Sequence, residues 1–135
     1  MITLNVDKQS STPVYEQIIE QIKRMILIGS LKSDEQIPSV RSLSLELSVN
    51  PNTIQKAYNE LEISGITYSV PGVGRFVSKD AKQKIGSDYK NNIDKIYEIS
   101  YWLALSGVEH NLVIDMVNKA YDDALNTNKG KDEHQ

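Results

Sequence analysis

Cysteine is absent from this sequence, so it cannot build a disulfide framework, a thiol nucleophile or a thiolate-ligated zinc site. Histidine is nearly as scarce, with only His110 and His134. Positive charge is short as well: fifteen Lys and Arg face eighteen Asp and Glu, a net charge of −3. No global field therefore attracts nucleic acid or an anionic membrane, and an anionic partner has to be met by local groups. No apolar run approaches the ~18 residues of a membrane span, and the N-terminus lacks the charged start, apolar middle and small-residue cleavage site of a signal peptide. A cytoplasmic chain without a membrane partner is the expectation. Also missing are a nucleophile elbow, a phosphate loop and a convincing acid/base pair, and Gly72-x-Gly74 alone does not indicate a nucleotide site. Neither enzymatic activity nor a cofactor is expected.

What is present is 135 residues, 39% hydrophobic and 24% charged, enough for one core domain and a small appendage. Thr12-Pro13 supplies a hydroxyl cap and a proline at the first helical position, and Val14, Ile18, Ile22, Met25 and Ile26 recur at helical spacing up to Gly29. Gln36 and Ile37 form a short strand in the connector that follows. Ser39 caps a helix of about two turns with Val40, Leu43 and Leu47 inward; it ends by Val49, because Asn50 precedes a proline and is pushed out of the α region. Asn50-Pro51 then opens a third helix with Ile54, Ala57, Tyr58 and Leu61 inward and Gly65 as its stop. Ile66, Tyr68 and Val70 alternate ahead of Pro71-Gly72-Val73-Gly74 and Arg75-Phe76-Val77, which predicts a β-hairpin.

Helix, short helix, sharp turn, helix and hairpin make a winged helix-turn-helix, the geometry that lays a recognition helix in the major groove of double-stranded DNA. A groove reader needs short side chains, amides and hydroxyls for base edges and phosphates, and a few cations. Asn52, Lys56 and Asn59 fall on the outer face of the third helix with Thr53 and Gln55 on its flanks, and the Gln55 amide is suited to an adenine edge. Arg41 is the candidate phosphate clamp, and the backbone N–H groups behind Ser39 and Asn50 add helix-terminal anion sites. A polar face opposite an apolar stripe is ordinarily just a solvated surface. Here, however, Glu46 is the only acid between Pro38 and Asn59, in a chain that is acidic as a whole.

The runs Pro38-Ser39-Val40-Arg41-Ser42-Leu43 and Asn50-Pro51-Asn52-Thr53-Ile54-Gln55-Lys56-Ala57-Tyr58-Asn59-Glu60-Leu61-Glu62, followed by Gly65-Ile66 and Pro71-Gly72-Val73-Gly74-Arg75-Phe76-Val77, resemble the winged helix-turn-helix of the GntR family of bacterial transcription regulators. The resemblance covers residues 11–78 and implies operator-DNA contacts for Arg41, Asn52, Thr53, Gln55, Lys56, Gly72 and Gly74. We extend the candidate set to Ser39, Asn50, Asn59 and Arg75. The Asn-Pro-Asn-Thr start and the short helical tail are similar to the YtrA branch, whose members typically repress operons for ABC-type transporters.

The expected organisation is mainly α with a small β-hairpin: a winged helix-turn-helix DNA-binding domain over residues 1–78, a linker over 79–87, a two-helix dimerisation domain over 88–126 and a flexible tail over 127–135. The tail helices, expected over 88–106 and 109–126, carry more apolar surface than so short a segment can bury alone. A homodimer held by Ile96, Ile99, Trp102, Leu103, Leu112, Val113, Met116, Val117, Ala120 and Tyr121 is the expectation, and the resemblance implies the same. Two other signals are weaker. Glu109, His110 and Asp115 lack a second His or Cys at ligand spacing, so no metal is expected. Trp102 with Tyr97 and Tyr101 could cage a small-molecule effector of unknown identity, although aromatics at helical spacing ordinarily serve core or interface. The functional alternative is a winged-helix module that docks a partner protein instead of DNA, a reading the thin positive charge favours.

Overall fold

The computed structural model describes residues 3–133 and divides after Gly86 into two compact units. In the first unit the chain enters extended, with Leu4 buried. Gln17 and Gln21, one turn apart on α1 (Val14–Ile28), clamp this entry segment. The Gln21 amide accepts from Asn5 N–H at 3.0 Å and donates to the Asn5 carbonyl; the Gln17 amide accepts from Asp7 N–H at 2.8 Å and donates to the Asp7 carbonyl at 2.9 Å. Each side chain thus serves the backbone as a neighbouring strand would, pairing both backbone polar groups of residues 5 and 7.

Helix α1 starts one residue later than the sequence suggests. Pro13 is extended at ψ 146° and takes the N-cap position, no side chain caps the helix, and the Thr12 carbonyl is satisfied by the Gln17 amide at 2.8 Å. Ile18, Ile22 and Ile26 bury the expected stripe, and Gly29 ends the helix in the left-handed region at φ 84°. Helices α2 (Val40–Leu47) and α3 (Pro51–Ile63) follow their signals: the Ser39 hydroxyl accepts from Ser42 N–H at 3.0 Å, and the Asn50 side chain from Asn52 N–H at 2.8 Å. Ile54, Ala57, Tyr58 and Leu61 are all buried, and α3 packs against α1 and α2.

Strands β1 (Thr67–Val70) and β2 (Gly74–Val77) form the antiparallel hairpin, with Thr67 opposite Val77 and Val70 opposite Gly74. The connector supplies a third rung, because Gln36 bridges to Phe76 and the Ile37 N–H donates to the Arg75 carbonyl at 2.9 Å. The burial does not follow the alternation, however. Ile66 and Thr67 are buried while Tyr68 and Val70 are more than a third exposed, and Tyr68 stacks across the strands on Phe76 at 5.6 Å between ring centroids. The Tyr68 hydroxyl donates to Asp34 Oδ1 at 2.9 Å, which raises its pKa above the usual phenol value.

The segment expected as a linker over 79–87 is instead the start of helix α4 (Ala81–Lys90). Ala81 and Ile85, one turn apart, are fully buried, and Lys84 reaches the Gly65 carbonyl at 3.4 Å and Asp80 at 3.4 Å. Two apolar residues among the nine of 79–87 carry too little periodicity to be read as a helix; their burial within the first unit decides the matter. In the second unit, the helix expected to start at Asp88 is broken at Asn91 and Asn92, so that α5 spans Ile93–Leu105. Gly107, left-handed at φ 84°, separates it from α6 (His110–Glu133). Helix α6 therefore runs past the expected end at Asn126, and the flexible tail expected over 127–135 is helical as far as Glu133; residues 134–135, with His134, lie outside the described residues. No proline or run of like charge interrupts it, and the Lys119–Asp123 pair at 3.1 Å supports it one turn apart.

Tyr58 is fully buried on α3, yet its hydroxyl donates to the Pro38 carbonyl at 2.8 Å. Tyr58→Phe removes this donor and leaves the carbonyl without one. The expected loss is about 1–2 kcal/mol of folding free energy, read as a lower urea midpoint with an unchanged slope; an unaltered midpoint would show that the bond contributes nothing net.

Candidate nucleic-acid interface

The sequence-selected residues of the first unit gather around α2, the turn at Ser48–Asn50 and α3, with the hairpin alongside through its contact with α3. Arg41 lies in the first turn of α2, exposed, and takes part in none of the ion pairs among the described residues. Asn52, Lys56 and Asn59 are exposed along one face of α3, whereas Thr53 and Gln55 are half-buried on its flanks. The Gln55 amide donates to Asn59 Oδ1 at 2.7 Å, so these two side chains present themselves as a bonded pair rather than as separate readers. Lys56 is held too: its Nζ sits 3.8 Å above the centre of the Tyr15 ring, a cation–π contact from α1.

Ser39 and Asn50 have a narrower role than the sequence suggests. Their side chains are used in capping, and the Ser42 and Asn52 N–H groups that would have met an anion are already bonded to them. Helix-terminal anion binding is correspondingly weaker at both ends.

In the wing, Gly72 at φ 76° has open space where a Cβ would stand. Gly74, at φ 149°, has the Gln36 amide in that place, and this amide donates to the Val73 carbonyl at 3.1 Å. Glycine at 74 is therefore favoured by conformation, and a Cβ there would displace the Gln36 amide from its bond. Val73, at the tip between them, is largely exposed. Arg75 is half-buried, with its guanidinium 5.4 Å from the centre of the Tyr58 ring and its Nη1 buried without a hydrogen-bond partner. Burial raises the Tyr58 pKa well above the normal phenol value and the Arg75 charge opposes that rise, so the hydroxyl stays protonated and remains a donor.

Two residues of this face went unmarked in the sequence. They are Tyr15, whose ring lies under Lys56, and Lys8, whose Nζ lies 2.7 Å from the Ser48 carbonyl in the turn. Both arise from contacts between distant segments, for which local spacing carries no signal. An acidic margin is present as well: Glu35 and Glu46 border a polar groove with Gln36, Ser39 and Ser42, which repels phosphate from that side of α2.

In the second unit, Ile96, Ile99, Leu103, Leu112, Val113, Met116 and Val117 line an apolar cleft of about 350 Å³ between α5 and α6. Trp102, Ala120 and Tyr121 do not line it. Tyr97 stacks on Tyr101 at 6.4 Å and Tyr101 meets Trp102 edge-on at 6.0 Å, an exposed ladder along α5 and not the cage that would hold an effector. His110 begins α6, and among the described residues no three His, Cys, Asp or Glu side chains gather at a metal site. No helix among them is long and apolar enough to cross a membrane.

A capped helix-turn-helix with a polar, cation-bearing second helix and a glycine-turned wing defines a DNA-binding transcription regulator of the winged helix-turn-helix class. Residues 14–77 match the family of bacterial regulatory proteins called the gntR family. The chain is 47% identical over 79 residues to the HTH-type transcriptional repressor YtrA of Bacillus subtilis (strain 168), an alignment covering 58% of this chain and 61% of that protein. It is also similar to a solved GntR family transcriptional regulator from Listeria monocytogenes, with a TM-score of 0.66 and 31% identity over 84% of this chain and 98% of that one. The AraR DNA-binding domain in complex with operator ORX1 superposes with a TM-score of 0.52 and 34% identity, covering 58% of this chain and all of that one, 100%. The chain belongs to the GntR family. It spans about three fifths of the length of the curated relatives first matched, 61% in each case.

The Gln55–Asn59 bond predicts coupled behaviour. Gln55→Ala and Asn59→Ala are each expected to relax base preference at the same position of a selected duplex, and the double variant to lose clearly less affinity than the two single losses added. Full additivity in binding titrations would show that the two side chains read independently.

Proposed function

We propose that the chain is a homodimeric repressor acting on its own operon and on genes for an ABC-type transporter, each protomer placing α3 in the major groove of one half of a pseudo-palindromic operator. The observation that carries this reading is the arrangement of exposed Arg41, Asn52 and Lys56 around a helix-turn-helix turn, with Lys56 fixed in place by Tyr15. Arg41 clamps the phosphate backbone or a guanine edge, Asn52, Thr53, Lys56 and the Gln55–Asn59 pair face the bases, and Ser39 and Asn50 shape the helix ends. The backbone of Gly72 and Gly74 and the guanidinium of Arg75 approach the adjacent strand. In this reading residues 1–78 are the DNA-binding domain. The solved operator complex of AraR and the repressor YtrA support DNA as the partner and repression as the outcome.

The dimer is supported by the second unit, whose α5 and α6 leave Ile96, Ile99, Leu112 and Met116 each more than half exposed along one apolar cleft. A monomeric soluble protein rarely leaves so much contiguous apolar surface in water. A second copy covers it, with each protomer's helices filling the other's cleft, and Trp102, Ala120 and Tyr121 belong to the margin of that contact. The cytoplasm is the compartment where such a regulator acts.

Two measurements test the reading. A selection from random duplexes by the full chain should return an inverted repeat, and Arg41→Ala should then bind it about 1–3 kcal/mol more weakly with an unchanged melting temperature. Equal affinity would remove Arg41 from the interface. In sedimentation, Met116→Asp should convert the dimer to a monomer and weaken all duplexes alike, because the second half-site no longer contributes; a variant that stayed dimeric would remove the cleft from the interface.

A further inference from the structure

Helix α2 ends without a basic residue in its last turn, and its C-cap, Ser48, is left-handed at φ 54° although it is not glycine. The turn satisfies most of its own groups: Val49 N–H donates to the Ser44 carbonyl at 3.1 Å, and the Ser44 hydroxyl donates to the Val49 carbonyl at 2.6 Å. The Ser48 carbonyl is served from elsewhere, by the Lys8 Nζ at 2.7 Å. Lys8 comes from the entry segment that Gln17 and Gln21 clamp to α1, so its backbone is anchored on the helix before the side chain reaches the turn. A neutral donor would suffice to cap α2. An ammonium carries three N–H donors, of which this bond uses one, and Lys8 is exposed.

The turn leads directly into Asn50, the N-cap of α3, and the first residues of a groove-reading helix are the ones that meet base edges. The phosphates at the edge of that groove therefore run beside the turn, where exposed Lys8 keeps two donors that its bond to Ser48 does not use. We propose that Lys8 is a phosphate-binding residue of the DNA interface, carried onto the helix-turn-helix turn by the Gln17 and Gln21 clamp and engaging the backbone of the half-site that α3 reads. The proposal rests on the DNA-binding reading above.

The experiment uses the full chain and a duplex that the parent itself selects from a random-sequence pool. Lys8→Gln keeps a neutral donor for the Ser48 carbonyl but removes the charge. It should bind roughly eightfold more weakly at 0.1 M salt for each Lys8 lost, and the slope of log affinity against log salt should be shallower by about 0.9 per Lys8, the signature of one phosphate contact. Lys8→Arg should restore both, and Gln21→Met should weaken binding in the parent but not further in the Lys8→Gln background. Parental affinity and slope in Lys8→Gln would overturn the proposal, as would weaker binding with an unchanged slope, which marks a helix cap only. If the parent selects no duplex at all, the DNA-binding reading fails and the proposal falls with it; if the parent binds and only the Lys8 slope is unmoved, the proposal fails alone.

Discussion

The bond from the Tyr58 hydroxyl to the Pro38 carbonyl joins three parts of the first unit at one point. Tyr58 stands on the inward face of α3, Pro38 ends the connector that pairs with β2, and the other face of the phenol ring receives Arg75 from the wing. Without a donor here, the partly buried Pro38 carbonyl would lose its bond, and an unpaired polar group in such a place costs more than the bond contributes when made. The hydroxyl therefore fixes where α2 begins relative to α3, and the spacing of a helix-turn-helix depends on that relation. A purely apolar ring would fill the volume without defining the register.

The same economy governs charge. The protein is acidic overall, and a DNA-binding face cannot draw on a general positive field. Four cations, Lys8, Arg41, Lys56 and Arg75, are instead distributed over four different segments, and three of them are held by contacts that cost little charge: a carbonyl for Lys8, an aromatic ring for Lys56 and another for Arg75. None of these contacts is a carboxylate, so the ammonium and guanidinium charges are positioned but not neutralised. The Nη1 of Arg75 is buried without a hydrogen-bond partner among the described residues. The acid pair Glu35 and Glu46 beside α2 works in the opposite sense, limiting the approach of phosphate to one side.

How much of this was legible in the sequence depends on the range of the interaction concerned. The caps at Ser39 and Asn50, the Asn50-Pro51 boundary, the four buried residues of α3 and the glycine-turned hairpin are all encoded within a few positions of where they act, and they stand where spacing placed them. Helix α4 was not legible, because only Ala81 and Ile85 among its residues are buried and the surface they meet is formed by other segments. Lys8, Tyr15 and the Gln17–Gln21 clamp were missed for the same reason. Gln55 and Asn59 show an intermediate case: their positions on α3 were readable from the period of 3.6, but the bond between them required side-chain orientation to be seen. Trp102, expected at an interface between copies, is exposed on α5 within one copy and lies outside the cleft.

The second unit is a pair of helices with little core of its own. Its helices bury almost nothing by themselves, and Leu103 and Val113 are among the few side chains even half covered. In the proposed homodimer such a pair gains its stability from association, because the area available within one copy is too small to offset the chain entropy of ordering two helices. Folding of the unit and pairing of the protomers are then one equilibrium, and protein concentration sets how much of each exists. On that proposal, occupation of two half-sites raises the local concentration of one protomer beside the other, so operator DNA itself would favour the ordered, paired state of α5 and α6. The proposed coupling would let a weakly cationic half-site reader gain affinity without added positive charge on either DNA-binding unit.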